Sequence, residues 1–312
     1  MRTRRAGLTA LAGVLLGASS LAVLAVRGAP EASSPCRYGP PRRVARLQDE
    51  RVNECSGLAA GRRNPELFWA HNDSGDSARL FALDREGRTR AVLTVTGARA
   101  RDWEDLAAGP GPDGTPCLFI GDIGNNSRQR TDLVVYCIPE PVLPAEATEL
   151  ASEPAVAYPF RYPGDSPDCE ALLVHPQTGA LYLIAKDTSG KPEVYRFPTP
   201  LQLDHPVTLE RVGSLRLEAP SIMGRMVTGG DIAPDGKRLV LRTYLTVLEF
   251  RVPEGAAFEE AFRQRPEVLR GPMELQGEAV AYLPDGHGFL TLPEGKGAPM
   301  HLFPCITPGH TK

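Results

Sequence analysis

Residues 102–122 read DWEDLAAGPGPDGTPCLFIGD, and this stretch sets the pattern for the chain. A short apolar run from Leu106 leads into the tight-turn sequence GPDG at 111–114, and a second apolar run, CLFIGD, follows. Two runs of strand length separated by turn residues read as an antiparallel hairpin. The unit recurs. Aligned on Leu58, Leu106, Leu172, Ile232 and Val280, the first strands lie 48, 66, 60 and 48 residues apart. Turns follow at PQTG (176–179) and PDG (234–236 and 284–286), and the second strands read ELFWAH, CLFIGD, ALYLIAKD, RLVLRTY and GFLTLPEG. Third strands read RLFALD, LVVYCI, EVYRF, TVLEFRV and MHLF; fourth strands read AVLTVTG, AVAYPFRY, VGSLRL and PEVLRG.

Five such units with little helix predict an all-β fold, a β-propeller of five four-stranded blades, because a small repeated sheet buries its faces only against its neighbours. The irregular spacing leaves room for a sixth. Only AAFEEAFRQ at 256–264 has helical periodicity, and it reads as a surface insertion. The fifth unit has no fourth strand after MHLF. RRVARLQ at 42–48 supplies one, so an N-terminal strand is expected to close the ring.

The first 29 residues differ from the rest: MRTRR is basic, residues 6–26 are uncharged, and no Asp or Glu precedes Glu31. This is the layout of a secretory signal, with RGA and PEA as small-residue cleavage sites. The same segment is long enough to stay as a membrane anchor, although its many small residues weaken that alternative. The expected organisation is therefore signal or anchor (1–29), linker (30–41), propeller (42–308) and tail (309–312), in a chain exported to the periplasm or beyond the cell. Any membrane association would run through an uncleaved N-terminal segment. Removing residues 1–29 takes the formal charge from -3 to -7. An acidic chain without a lysine or arginine run argues against nucleic-acid binding.

Six cysteines in an exported chain point to disulfides, and no CxxC pair supports a zinc ribbon or a thioredoxin-like centre. Cys117 and Cys137 flank the 122–131 loop on antiparallel strands and are the first expected bond. Cys36 and Cys305 meet where the ring closes and are the second. Cys55 and Cys169 occupy equivalent repeat positions with a blade between them, which makes their pairing doubtful.

The acids fall into columns. Two positions before the first apolar residue stand Glu104, Glu170 and Glu278, with Ser56 and Gly230 in the other units. Four before it stand Glu54, Asp102 and Asp168, and one before it Asp105 and Asp231. First strands line a propeller's channel, so these acids are expected near the axis at one mouth. Second strands return to that mouth with Asp73, Asp122 and Asp187, and with Glu294 in the last unit; His71 and Arg101 lie beside them. Converging carboxylates repel unless they are protonated, solvated or neutralised by a cation. An oxygen-only set without His or Cys favours a hard cation, and calcium, with six to eight oxygen ligands, suits an irregular ring better than magnesium. The bland reading of each acid alone is a solvated turn residue, and that of Trp103 is a packed aromatic. Ser56 in ECSGL fits neither a GxSxG elbow nor an SxxK motif.

The units ECSGL…HNDSG…RLFALD, DWEDLAAG, DCEALLV and GEAVAYLPDG resemble the secreted bacterial propellers grouped as phytase-like or esterase-like, and the SdiA-regulated propeller proteins, over residues 54–304. The resemblance implies a calcium-stabilised propeller and, as in the β-propeller phytases, phosphate-ester hydrolysis by a metal-activated water at the channel mouth. Its acids would map onto Glu104, Glu170, Asp231 and Glu278. Those phytases resemble six-bladed rings, against the five units read here, and a lysine and arginine set for a highly phosphorylated substrate is missing. Two alternatives account for the same residues: a calcium-stabilised interaction platform that binds a protein partner, and a lactonase or other metal-dependent hydrolase acting on a small anionic ester.

Overall fold

A computed structural model of the chain describes residues 36–306, except 146, 147, 204, 273 and 275. The expected signal or anchor, residues 30–35 of the expected linker and the expected tail lie outside the described residues. Five sheets follow one another along the chain. Their inner strands are Cys55–Ala60, Trp103–Pro110, Cys169–Val174, Val227–Ile232 and Gly277–Tyr282. Each pairs antiparallel with a second strand: Phe68–Asn72, Pro116–Asp122, Leu181–Ala185, Arg238–Thr243 or Gly288–Pro293. The turns between them need glycine where the sequence supplies it; Gly114 and Gly286 have φ of 83° and 70°, in the left-handed region. Successive inner strands touch around the ring, and that of blade five touches that of blade one. The fold is a five-bladed β-propeller.

Ring closure follows the expected route. Arg42–Arg46 pairs antiparallel with Pro299–Ile306, placing Arg42 against Leu302 and Arg46 against Pro299. The sheet begins earlier than expected, because Arg37–Tyr38 also pairs with Cys305 and Ile306. Beside it Cys36 and Cys305 are joined by a disulfide, with Cα atoms 5.4 Å apart. Two short strands were invisible in the repeat: Thr148–Ala151 adds in parallel to blade one and Val207–Thr208 to blade two.

The strands read as continuous apolar runs because both faces of each blade are covered. Along ELFWAH, Phe68 and Ala70 face the core shared with blade five, and Trp69 faces the core shared with blade two. The same alternation builds the other three cores between consecutive blades. The predicted helix is a 3-10 segment, Phe258–Arg263, and it is no mere surface insertion. Ala261 and Phe262 are buried, with the Phe262 ring 5.7 Å from that of Tyr182, so the segment plugs the core between blades three and four.

Cys117 and Cys137, expected to be joined, are separate buried thiols. The reason is register: Cys117 lies opposite Pro139 and Cys137 opposite Phe119, which sets the two cysteines on a diagonal. Cys55 and Cys169 are also buried free thiols.

Candidate metal centre

Every inner strand slips against its partner near its start: between Cys55 and Gly57, Trp103 and Asp105, Cys169 and Ala171, Val227 and Gly229, and Gly277 and Ala279. The residues passed over are Ser56, Glu104, Glu170, Thr228 and Glu278. A β-bulge leaves one residue outside the ladder and re-aims its side chain. Repeated in five blades, it sets a ring of five buried residues at one mouth of the channel. Two of them tie neighbouring blades: Ser56 Oγ donates to Glu104 O at 2.5 Å, and Thr228 Oγ1 to Gly277 O at 2.7 Å. The other three are glutamates.

Residues flanking the bulges complete the centre. Asp73 follows the second strand of blade one, and Asp102 and Asp168 precede the inner strands of blades two and three. One carboxylate oxygen from each of Asp73, Asp102 and Glu104 forms a set within 4.8 Å of one another, and Glu104, Asp168 and Glu170 form a second. Two oxygens bound to one calcium ion at 2.3–2.6 Å stand no more than about 5 Å apart, so both sets fit such an ion. Glu104 belongs to both. Gly124 borders them closely: a Cβ there would lie 2.2 Å from Glu104 Oε1 and 2.5 Å from Asp102 Oδ2. Its loop is pinned by Arg130, which donates to Gly124 O and Asp122 Oδ1, both at 2.7 Å, and by Asn125 N, which donates to Asp168 Oδ1 at 2.6 Å.

Burial and crowding shape the charge. Desolvation, followed by the repulsion of neighbouring acids, pushes Asp102 up to about 6. Glu278 reaches about 9 through burial and then the charge of Glu170. Burial lifts Glu170 to about 8 although Lys186 opposes the shift, and Glu104 is raised well above the carboxylate range. Asp73 and Glu294 move the same way. Lys186 is the cation inside the group; it pairs with Glu170 and donates to Tyr244 Oη at 2.8 Å. Among the described residues the carboxylates here outnumber the cations that act on them, Lys186 and Arg130, the situation in which a hard cation binds.

Not every expected acid reaches this centre. Asp105 is wholly buried among backbone donors: Oδ1 accepts from Leu106 N at 2.8 Å, and Oδ2 from Leu172 N at 2.9 Å and Gly230 N at 3.2 Å. It clamps three blades together. Asp231 lies toward the other end of the channel, accepting from Ile232 N and Tyr282 N, both at 2.8 Å. Alignment on apolar residues had matched Ile232 to Leu106, whereas Gly230 takes that place, two positions beyond its bulge. The bulge residue of blade four is accordingly Thr228, and Asp231 belongs to a different layer.

Glu54 is exposed at the margin, where its charge helps raise Asp73 and Glu294. Asp122 is committed to Arg130 and to the N–H groups of Arg101 and Asp102. Asp187 accepts from Ser189 N and Lys191 N within its own turn. The Arg101 side chain pairs with Asp132. His71 is buried 2.8 Å from Asn72 O, edge-on to Trp103, and burial lowers it to about 4, so it is neutral packing. Trp103 is packed as expected, its Nε1 donating to Arg99 O at 2.9 Å. Sequence reasoning missed Gly124, Thr228, Lys186 and Tyr244. Lys186, a basic residue directly before the closing acid of ALYLIAKD, was the available signal.

No family model matches the chain, and no curated protein matches it. Among solved structures it is similar to a protein from Xanthomonas campestris described as a gluconolactonase important in glucose secondary metabolic pathways. The two share 13% identity, the match covers 87% of this chain and 97% of that one, and the TM-score is 0.48.

Proposed function

We propose that the chain is an exported hydrolase of ester or lactone bonds that depends on a hard divalent cation, calcium, held by Asp73, Asp102, Glu104, Asp168 and Glu170. One observation carries this reading: the two carboxylate sets share Glu104 and grade from buried to half-exposed. Glu104, Asp168 and Glu170 lie inside, while Asp73 and Asp102 stand at the solvent side. A centre of that form would hold an ion through its buried carboxylates, with the half-exposed pair on the side open to solvent and to a substrate. The bound ion would supply Lewis acidity toward a substrate oxygen. The protein's own part is to keep the donors in place: Arg130 and Asn125 fix the loop against which Glu104 and Asp102 rest, and Lys186 orients Glu170.

The nearby cations also bear on the substrate. Lys186 and Arg130 are both engaged by carboxylates, so neither is free for a cluster of phosphates. This favours a singly charged ester or a lactone over a highly phosphorylated substrate, and within the secreted propellers it favours the esterase-like resemblance. The Cys36–Cys305 bond supports export, since such bonds persist in oxidising compartments.

The test uses metal-stripped protein with and without calcium. Calcium is expected to raise the unfolding temperature and to switch on hydrolysis of p-nitrophenyl acetate or δ-valerolactone, and Glu104→Gln to lose both effects. Stabilisation without hydrolysis of esters, lactones or p-nitrophenyl phosphate would replace this reading with that of a calcium-stabilised interaction platform. No response to calcium would remove the cation site itself.

A further inference from the structure

At the other mouth of the channel, where the inner strands end, lies a cavity of about 440 Å³ to which all five blades contribute. Ala60 and Arg62, Ala108, Pro176, Asp231 and Tyr282 stand on its wall. From the bulge to the end of its strand the chain runs four residues in four blades and six in blade two, which at about 3.3 Å each puts the cavity roughly 13 Å or more from the bulge ring, separate from the carboxylate centre. Its size lies in the range of small-molecule sites, and its composition matches theirs: alanine, proline, isoleucine and leucine walls with few polar groups.

The polar groups are held in place. Glu140 is wholly buried beneath the loop that carries Arg62. Its Oε2 accepts from Arg62 N at 2.7 Å and Arg63 N at 2.8 Å, and its Oε1 from Asn64 Nδ2 at 2.8 Å and Trp69 Nε1 at 3.1 Å. The fit is close at Gly61, where a Cβ would stand 2.9 Å from Glu140 Oε1. A buried carboxylate thus fixes the backbone that presents Arg62. The guanidinium is exposed and donates through Nε to Ala108 O at 3.1 Å; among the described residues it forms no salt bridge, although the charges of Asp231 and Glu140 act on it. Both Nη groups are left for a ligand. Across the cavity Asp231 is pinned by two backbone donors from blades four and five.

We propose that this mouth is a second ligand site, for a small monocarboxylate with an apolar body, its carboxylate held by Arg62. The planar fork of a guanidinium matches a carboxylate with two parallel hydrogen bonds. Asp231 limits the charge the site takes: burial raises its carboxyl to about 7, so it can hold a proton beside a single negative charge on Arg62, whereas a second negative charge meets its repulsion. The apolar walls take the rest of the molecule. The site shares no residue with the carboxylate centre and does not depend on that centre's activity.

The experiment titrates the full chain with 4-phenylbutyrate and, separately, with its uncharged amide, following backbone amide shifts and heats of binding. Phenylbutyrate should bind at millimolar concentration or tighter and shift the Ile232 and Tyr282 amides, with the amide ligand about ten-fold weaker. Arg62→Gln should weaken phenylbutyrate about ten-fold, Arg62→Lys less, and Glu104→Gln not at all. The proposal is overturned if phenylbutyrate does not bind, if acid and amide bind alike, or if the shifts fall away from this mouth. Should Arg62→Gln fail to fold, the acid-to-amide comparison on the unmutated chain decides alone.

Discussion

Asp105 on blade two receives the backbone N–H of Leu172 on blade three at 2.9 Å, so an acid that looked like a ligand is a strut between blades. Asp105→Ala strips the acceptor from three buried N–H groups and should lower the unfolding free energy by about 3 kcal/mol or more. The calcium-induced rise in unfolding temperature should survive. Urea denaturation with and without calcium checks both; loss of the calcium shift would return Asp105 to the ligand set.

Gly124→Ala makes the complementary case. The new methyl would overlap Glu104 Oε1 and Asp102 Oδ2 and push both carboxylates off their positions. Calcium affinity by calorimetry should fall at least ten-fold, while the metal-free unfolding midpoint should move far less than in Asp105→Ala. Unchanged affinity would mean that the ion binds elsewhere.

Protonation gives a third expectation. Asp102, Glu170 and Glu278 have folded-state pKa values of about 6, 8 and 9, above those of the unfolded chain. Between the unfolded and folded values the native state holds more protons, so stability falls as pH rises. Metal-stripped protein should lose unfolding temperature steadily from pH 5 to pH 9, and saturating calcium should flatten or reverse that slope. A metal-free profile that rises over this window would show that these carboxylates ionise without penalty.

The disulfide yields a fourth. Cys36 and Cys305 close a loop spanning 269 positions. The chain-entropy relation for a loop of that length gives about 5.6 kcal/mol. Replacing both residues with serine should remove a large part of that, with the strand pairing of Arg42–Arg46 the first protection lost in hydrogen exchange. If Arg42–Arg46 stays as protected as the inner strands, the hydrogen-bonded closure holds without the bond.

The architecture was legible because the signals that build blades are local. Turn residues, strand-length apolar runs and the missing fourth strand near MHLF all sit in the chain where they act. The acid centre was legible only in part, because it depends on register. Glu104, Glu170 and Glu278 share a column through the bulges, and an apolar alignment found them. It failed in blade four, where the equivalent of Leu106 is Gly230, and carried Asp231 into the wrong layer. Cys117 and Cys137 failed for a related reason: a diagonal offset of two residues is not apparent in spacing along the chain. Lys186 and Tyr244 meet across two blades, a contact that no linear pattern announces.

Residues at the five bulges have no partner across the ladder, and this separates two demands that most strand positions carry together. At the three glutamate bulges, what faces the channel is written at the bulge and what pairs the strands is written in the neighbouring residues. A glutamate there can be exchanged for another side chain without disturbing strand pairing, whereas the same exchange one position along, at Asp105, severs a strut. The ring formed by Ser56, Glu104, Glu170, Thr228 and Glu278 is in that sense a socket with interchangeable contacts. Descendants of this fold can therefore change their chemistry one blade at a time while inheriting the frame intact.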